Sequence, residues 1–154
     1  MPIRAFAEPL ITTRSNRGPV ALTYAFTGHA RYDPVREEKG PRGVRIFRFL
    51  AGGLISGPRL NGELFPSGGD IALVRPDRVE DVNARFMIRA ETGEWIYVEH
   101  SGYRRHADGY HRIAAFFDAD RYGPYAWLND NAVIATAEDF ADGLSVTFTY
   151  YQVT

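Results

Sequence analysis

The residue pattern predicts an all-β fold: one antiparallel β-barrel of about eight to ten strands with a short helical segment. Three observations carry this expectation. Apolar and polar residues alternate along Val82-Asn83-Ala84-Arg85-Phe86-Met87-Ile88-Arg89. That puts Val82, Ala84, Phe86 and Ile88 on one face, and Asn83, Arg85, Met87 and Arg89 on the other, as in a strand. Aromatic residues make up 14% of the chain, ten Phe, nine Tyr and two Trp, beside 15 Gly and nine Pro. Such a mixture favours strands joined by tight turns. Finally, this many strands in 154 residues exceeds what one open twisted sheet carries without curling. Closure into a barrel removes the edges that a sandwich would leave exposed.

Taken in chain order, Ala5–Thr13 and Pro19–Arg31 are the first candidate strands. Asp33–Arg42 is polar, holds two prolines and reads as a connection within one domain. Val44–Leu50, Leu60–Phe65 and Ile71–Arg75 follow, broken by Gly52-Gly53 and Gly68-Gly69. Val82–Ala90 and Glu94–Ser101 are expected to pair as a hairpin. Gly93 of Glu91-Thr92-Gly93-Glu94 would supply the positive φ of the turn. In Tyr110–Phe117, Ile113, Phe116 and Phe117 lie at helical spacing, which predicts the helical segment. Tyr125–Asn129, Ala132–Ala137 and Leu144–Val153 complete the set, the last two around the Asp142-Gly143 turn. No repeat or composition shift divides residues 1–154, so a single domain is expected.

Composition narrows the function. Hydrophobic residues are 45% and charged residues 24%, the balance of an ordinary globular domain. A net charge of −1 gives no overall field toward nucleic acid or an anionic membrane. Met1-Pro2-Ile3-Arg4 opens no apolar signal run and no stretch has membrane-spanning length, so a cytoplasmic protein is expected. The absence of cysteine excludes thiolate chemistry and suits a reducing compartment. His100, His106 and His111 do not follow a standard zinc spacing, so no metal is expected. No nucleophile elbow, phosphate-binding loop or dinucleotide fingerprint is present, and no cofactor is expected. A two-fold homodimer is the expected assembly, being the commonest among soluble oligomers.

From Gly52 to the C-terminus an ordered set of blocks is identifiable. It comprises Gly52-Gly53-Leu54-Ile55-Ser56-Gly57-Pro58-Arg59-Leu60-Asn61-Gly62, Pro66, Gly68-Gly69-Asp70 and Leu73-Val74-Arg75-Pro76-Asp77. Ala84-Arg85-Phe86, Ile96-Tyr97-Val98, Gly102-Tyr103-Arg104 and Tyr125-Ala126-Trp127-Leu128-Asn129 continue it. Together they resemble the domain of unknown function 3237 (DUF3237), also called UPF0311. The resemblance implies a small antiparallel barrel, calycin- or lipocalin-like, with a central cavity. It departs at Ile71, where the family usually has Trp after the aspartate block.

Asp70 and Arg85 are the candidate catalytic pair. Asp70 follows Ser67-Gly68-Gly69 and precedes a strand; it is either a turn aspartate that caps its own backbone or a general acid or base whose pKa burial would have to raise. Arg85 breaks an apolar alternation. It is solvated if its face is outward. If the barrel encloses a polar pocket it points inward, where it needs a carboxylate such as Asp70 or Asp77. Its planar fork suits an enolate, phenolate or carboxylate. Arg75, Asp77, Tyr97, Trp127 and Asn129 are the candidate substrate-binding residues. Trp127 and Asn129 would share a strand face with Tyr125, as pocket wall or as core.

These residues suit a cofactor-independent isomerase, cyclase or lyase. It would act by acid–base chemistry on a small aromatic or polyketide-like molecule held inside the barrel. A non-catalytic small-molecule binding protein and an interaction module with a filled barrel are the alternatives.

Overall fold

The computed structural model describes residues 18–154. The strand expected over Ala5–Thr13 lies outside the described residues. Nine strands follow: β1 (Leu22–Tyr32), β2 (Arg36–Gly40), β3 (Gly43–Ser56), β4 (Gly62–Val74), β5 (Val79–Ala90), β6 (Trp95–Arg105), β7 (Tyr110–Asp118), β8 (Val133–Asp139) and β9 (Ser145–Val153). All neighbours are antiparallel, in the order β1-β9-β8-β7-β6-β5-β4-β3-β2. A further β1–β3 pairing closes the sheet on itself, so β1 and β3 to β9 form an eight-stranded barrel. The β2 strand is a hairpin appendage on the first half of β3.

The β5–β6 hairpin forms as the alternation predicts, with Ile88 opposite Ile96 and Arg89 opposite Trp95. Gly93 has φ 98°, the left-handed conformation that this turn requires. Four other elements differ from expectation. Tyr110–Phe117 is strand: His111, Ile113, Ala115 and Phe117 are buried in alternation while Phe116 is 61% exposed. The helical spacing of its apolar residues is coincidental, because Phe116 faces out. Tyr125–Asn129 is not a strand, and a 3-10 turn over Ala126–Asn129 tucks Tyr125 and Leu128, three residues apart, against one end of the barrel. Gly52-Gly53 and Gly68-Gly69 do not break the chain into separate strands. They sit at register shifts inside the long strands β3 and β4, where bulges bend the sheet toward closure. Asp33–Arg42, expected as a loop, contains β2.

Among the described residues the expected central pocket is absent at substrate size, because the barrel's own side chains fill it. Phe26 stacks on Tyr150 with ring centroids 4.5 Å apart, and Phe117 meets both edge-on. Ile88, Ile96, Val98 and Leu64 complete a core with almost no exposure. Inward aromatics from four strands exceed what an eight-stranded barrel holds with space to spare. Leu60 and Leu128 close one end. Among the described residues no helix is long and apolar enough to cross a membrane.

The closing seam depends on a close approach. Gly53 pairs with Ala30, and a Cβ there would lie 2.0 Å from the carbonyl oxygen of His29. Gly53→Ala is therefore expected to lower the unfolding free energy by about 2–3 kcal/mol, read as a shifted urea midpoint.

Candidate functional site

The end of the barrel opposite the 3-10 turn is closed by charge. Arg48 on β3, Asp70 on β4, Glu80 on β5, Arg104 on β6 and Asp139 on β8 lie on the inward parity of their strands. Arg48 Nη1 donates to Asp70 Oδ2 at 3.1 Å and to Glu80 Oε1 at 2.5 Å. Arg104 bridges Glu80 at 3.8 Å and Asp139 at 3.0 Å. The Glu80 carboxylate is fully buried and also contacts His106 Nε2 at 3.2 Å. Burial opposes its ionisation, but the Arg48 hydrogen bond and charge outweigh this and hold it below the usual carboxylate range. Asp139 is also held low despite its burial, by nearby His111, whose Nδ1 lies 3.6 Å from its Oδ2, and by Arg104. For Asp70 burial wins, and its pKa stays raised despite the Asn83 N–H and Arg48. Two carboxylate behaviours thus coexist within one cluster.

Beneath the cluster lies a void of about 20 Å³ lined by Tyr32, Arg48, Asp70, His100, Arg104 and His111, among others. A single water is the largest group that such a space admits. Arg104 Nε and His111 Nδ1 have no hydrogen-bond partner among the described residues. His100, deeper in, is bonded at 2.8 Å to the Tyr150 hydroxyl, and burial followed by the nearby His111 pushes its pKa down to about 3. The cluster closes the barrel and has no room for a substrate. Nor does any group of three or more His, Asp or Glu among the described residues have metal-binding geometry.

A concavity of substrate size lies on the outside. The outer faces of β5 to β9 form a trough of about 1250 Å³. Its floor is low because Ser101 on β6 pairs with Ala114 on β7, two small side chains between taller neighbours. Tyr103, Tyr110, Phe116 and Tyr151 supply aromatic surface, and Arg75, Arg85 and Arg112 supply cations. Arg85 and Glu99 are direct cross-strand partners, with Nε 3.2 Å from Oε1. The Tyr97 hydroxyl donates to the same Glu99 oxygen at 2.7 Å. That hydrogen bond, then Arg85, holds the Glu99 carboxyl below its ordinary range.

The model of the protein of unknown function family DUF3237 matches residues 20–153. This chain belongs to DUF3237. A UPF0311 protein of Clostridium acetobutylicum is 39% identical over 114 residues, covering 64% of this chain and 72% of that protein. The same architecture recurs in a β-barrel-like protein of Acinetobacter baumannii, with TM-score 0.82 and 22% identity over 92% of this chain and all of that one. An enzyme from Penicillium herquei superposes with TM-score 0.75 and 21% identity over 91% and 98% of the two chains. At these identities the structural likeness is one of fold.

Within this DUF3237 barrel the residues singled out from sequence separate into three places. Arg75 and Arg85 line the trough; Asp77 grips Arg75 at 2.7 Å, and Tyr97 grips Glu99. Asp70 lies inside the wall, opposite the inward-facing Ala84, so the next residue, Arg85, points out. Asp70 and Arg85 therefore share no cavity, and the ion-pair partners are Arg48 and Glu99 respectively. Trp127 lies at the other end under the Arg59 guanidinium, 3.5 Å from its ring centre. Asn129 there accepts from Ala119 N–H and donates to Ala119 C=O, which pins a loop.

Sequence reasoning passed over Arg48, Glu80, Arg104, Asp139, Glu99 and Arg112, and weighed His111 only as a zinc ligand. A signal for some was present: Glu80 shares parity with Val82 and Ala84, and His100 with Ile96 and Val98. A charged residue on an apolar parity marks an internal polar site. The helical reading of its segment hid the inward parity of His111.

Two outcomes follow from the internal charges. Arg48→Met strands Glu80 and Asp70 and should cost about 3–5 kcal/mol of stability by urea titration. Separately, His100 is neutral in the fold with its pKa near 3, while an unfolded histidine titrates near about 6.5. Its contribution is complete above the unfolded value and is lost as pH falls from there toward 3. Stability should drop by about 2 kcal/mol between pH 7.5 and pH 5. His100→Gln should flatten that interval. It would leave the loss at lower pH that comes from Glu80 and Asp139, which Asp70 opposes in sign.

Proposed function

We propose that this DUF3237 barrel is a cofactor-independent acid–base enzyme. It takes a small aromatic or polyketide-like molecule on its outer trough, not inside the barrel. The observation that carries the reading is the Tyr97–Glu99–Arg85 set beside an aromatic concavity of small-molecule scale. Glu99 stays ionised at neutral pH and can accept a proton. The Arg85 guanidinium beside it stabilises the oxygen on which negative charge then develops. Phe116, directly opposite Glu99 across the β6–β7 pair, is an exposed aromatic side chain against which a planar ring can pack.

Asp70 enters this proposal as a positioning residue. Its Oδ1 accepts the backbone N–H of Asn83 at 3.0 Å, which fixes β5 two residues before Arg85. Arg75, clamped by Asp77 and Asp81, is a fixed wall of the same trough. A carrier with this trough and no turnover is the second reading. It is favoured by the exposure of Glu99, whose lowered pKa makes it a weak base.

Exchange of the benzylic α-protons of 2-tetralone in D2O, followed by proton NMR, separates the two. The wild-type chain should accelerate exchange, and Glu99→Gln should reduce that by about 10²–10⁴-fold with binding retained. Arg85→Met should lower exchange through the lost oxyanion partner. Equal exchange by wild type and Glu99→Gln would overturn the assignment of Glu99. Binding without any acceleration would leave a carrier.

A further inference from the structure

We infer that the trough selects an elongated planar aromatic anion and that Arg112 anchors its charged end. The inference rests on the trough being the ligand site and adds the shape and charge of what it takes. Of the three arginines that line it, two are already neutralised. Arg85 pairs with Glu99, and Arg75 pairs with Asp77 and Asp81. Arg112 is exposed and has no carboxylate within ion-pair distance among the described residues. One of its guanidinium nitrogens donates to the His111 carbonyl at 2.9 Å, and its head lies 5.3 Å from the Tyr110 ring. It is a cation held over an aromatic surface with donors to spare, the arrangement that receives a carboxylate or phenolate in bidentate fashion.

Register sets the length. Glu99 lies opposite Phe116, and Tyr103 lies opposite Arg112, four residues further along the same strand pair. Four residues of antiparallel strand span roughly 13–14 Å. Between the two rows the floor is the Ser101–Ala114 pair, too small to interrupt a flat ligand. A molecule with its reactive oxygen at Arg85 and Glu99 reaches Arg112 only if it is about three fused rings long. Phe116 and Tyr103 then flank its two ends. A one-ring or two-ring acid engages one end only.

Fluorescence titration with 2-anthroate, the neutral 2-anthramide and 2-naphthoate tests this on the full chain. Circular dichroism checks that each variant is folded. Wild type should bind 2-anthroate more tightly than either of the others. Arg112→Ala should weaken 2-anthroate by roughly 10- to 100-fold, leave 2-anthramide unchanged, and be partly rescued in Arg112→Lys. Phe116→Ala should weaken both anthracene probes. If Phe116→Ala weakens both but Arg112→Ala alters neither, or alters both equally, the anchor is overturned and the trough stands. If neither variant changes binding of either probe, the trough is not the ligand site and both readings fall. Both also fall if no probe binds and Phe116→Asp converts an oligomer into a monomer, since the face is then covered by a second copy of the chain.

Discussion

Everything in this molecule follows from the pairing of β1 with β3. Without it the nine strands would form an open sheet with two edges. With it, eight strands share one closed ladder, and each residue is committed to the inside or the outside. The seam is narrow. Thr27 to Tyr32 meets Ser56 to Leu50, with a register irregularity at Arg31 and Tyr32, and Gly53 lets the backbones approach. The bulges in β3 and β4 supply the local bend that closure requires. A one-residue slip here would exchange the aromatic core for the charged exterior.

Commitment to two faces explains why the interior holds both a dense core and a cluster of charges. Three carboxylates face two arginines, a formal excess of one acidic group. Such a cluster is costly to desolvate and is retained only when its members are mutually bonded. The geometry distributes that cost unevenly. Glu80, which has the most cationic neighbours, stays ionised although fully buried, while Asp70, with fewer, is pushed toward its neutral form. Arg48 touches both and is the hinge of the arrangement.

The outer trough is the complementary consequence. Among the described residues the barrel's own aromatics leave no internal volume of ligand size, so the proposed recognition of a small molecule uses the exterior. Sheet exteriors are normally level. This one is hollowed because Ser101 and Ala114 sit between Tyr103, Phe116 and the arginines. Function, on this reading, depends on side-chain size across two strands rather than on the barrel's bore.

The sequence by itself determined most of the strands, because period-two alternation is a local property; fully exposed β2 does not display it and was not legible. The β5–β6 hairpin was legible down to its turn glycine, and so was the family, from blocks that run from Gly52 onward. It did not distinguish strand from helix at Tyr110–Phe117, where three apolar residues fell at helical spacing. Nor did it show that Tyr125–Asn129 coils. It identified Asp70, Arg75, Arg85 and Tyr97 as chemically interesting but could not say which side of the wall each occupies. Parity is relative within one strand and becomes absolute only when the sheet closes. The partnership of Arg48 with Glu80, 32 residues apart, and of Arg85 with Glu99 exists only in the register of paired strands. That register is set by long-range backbone pairing, which no single segment encodes.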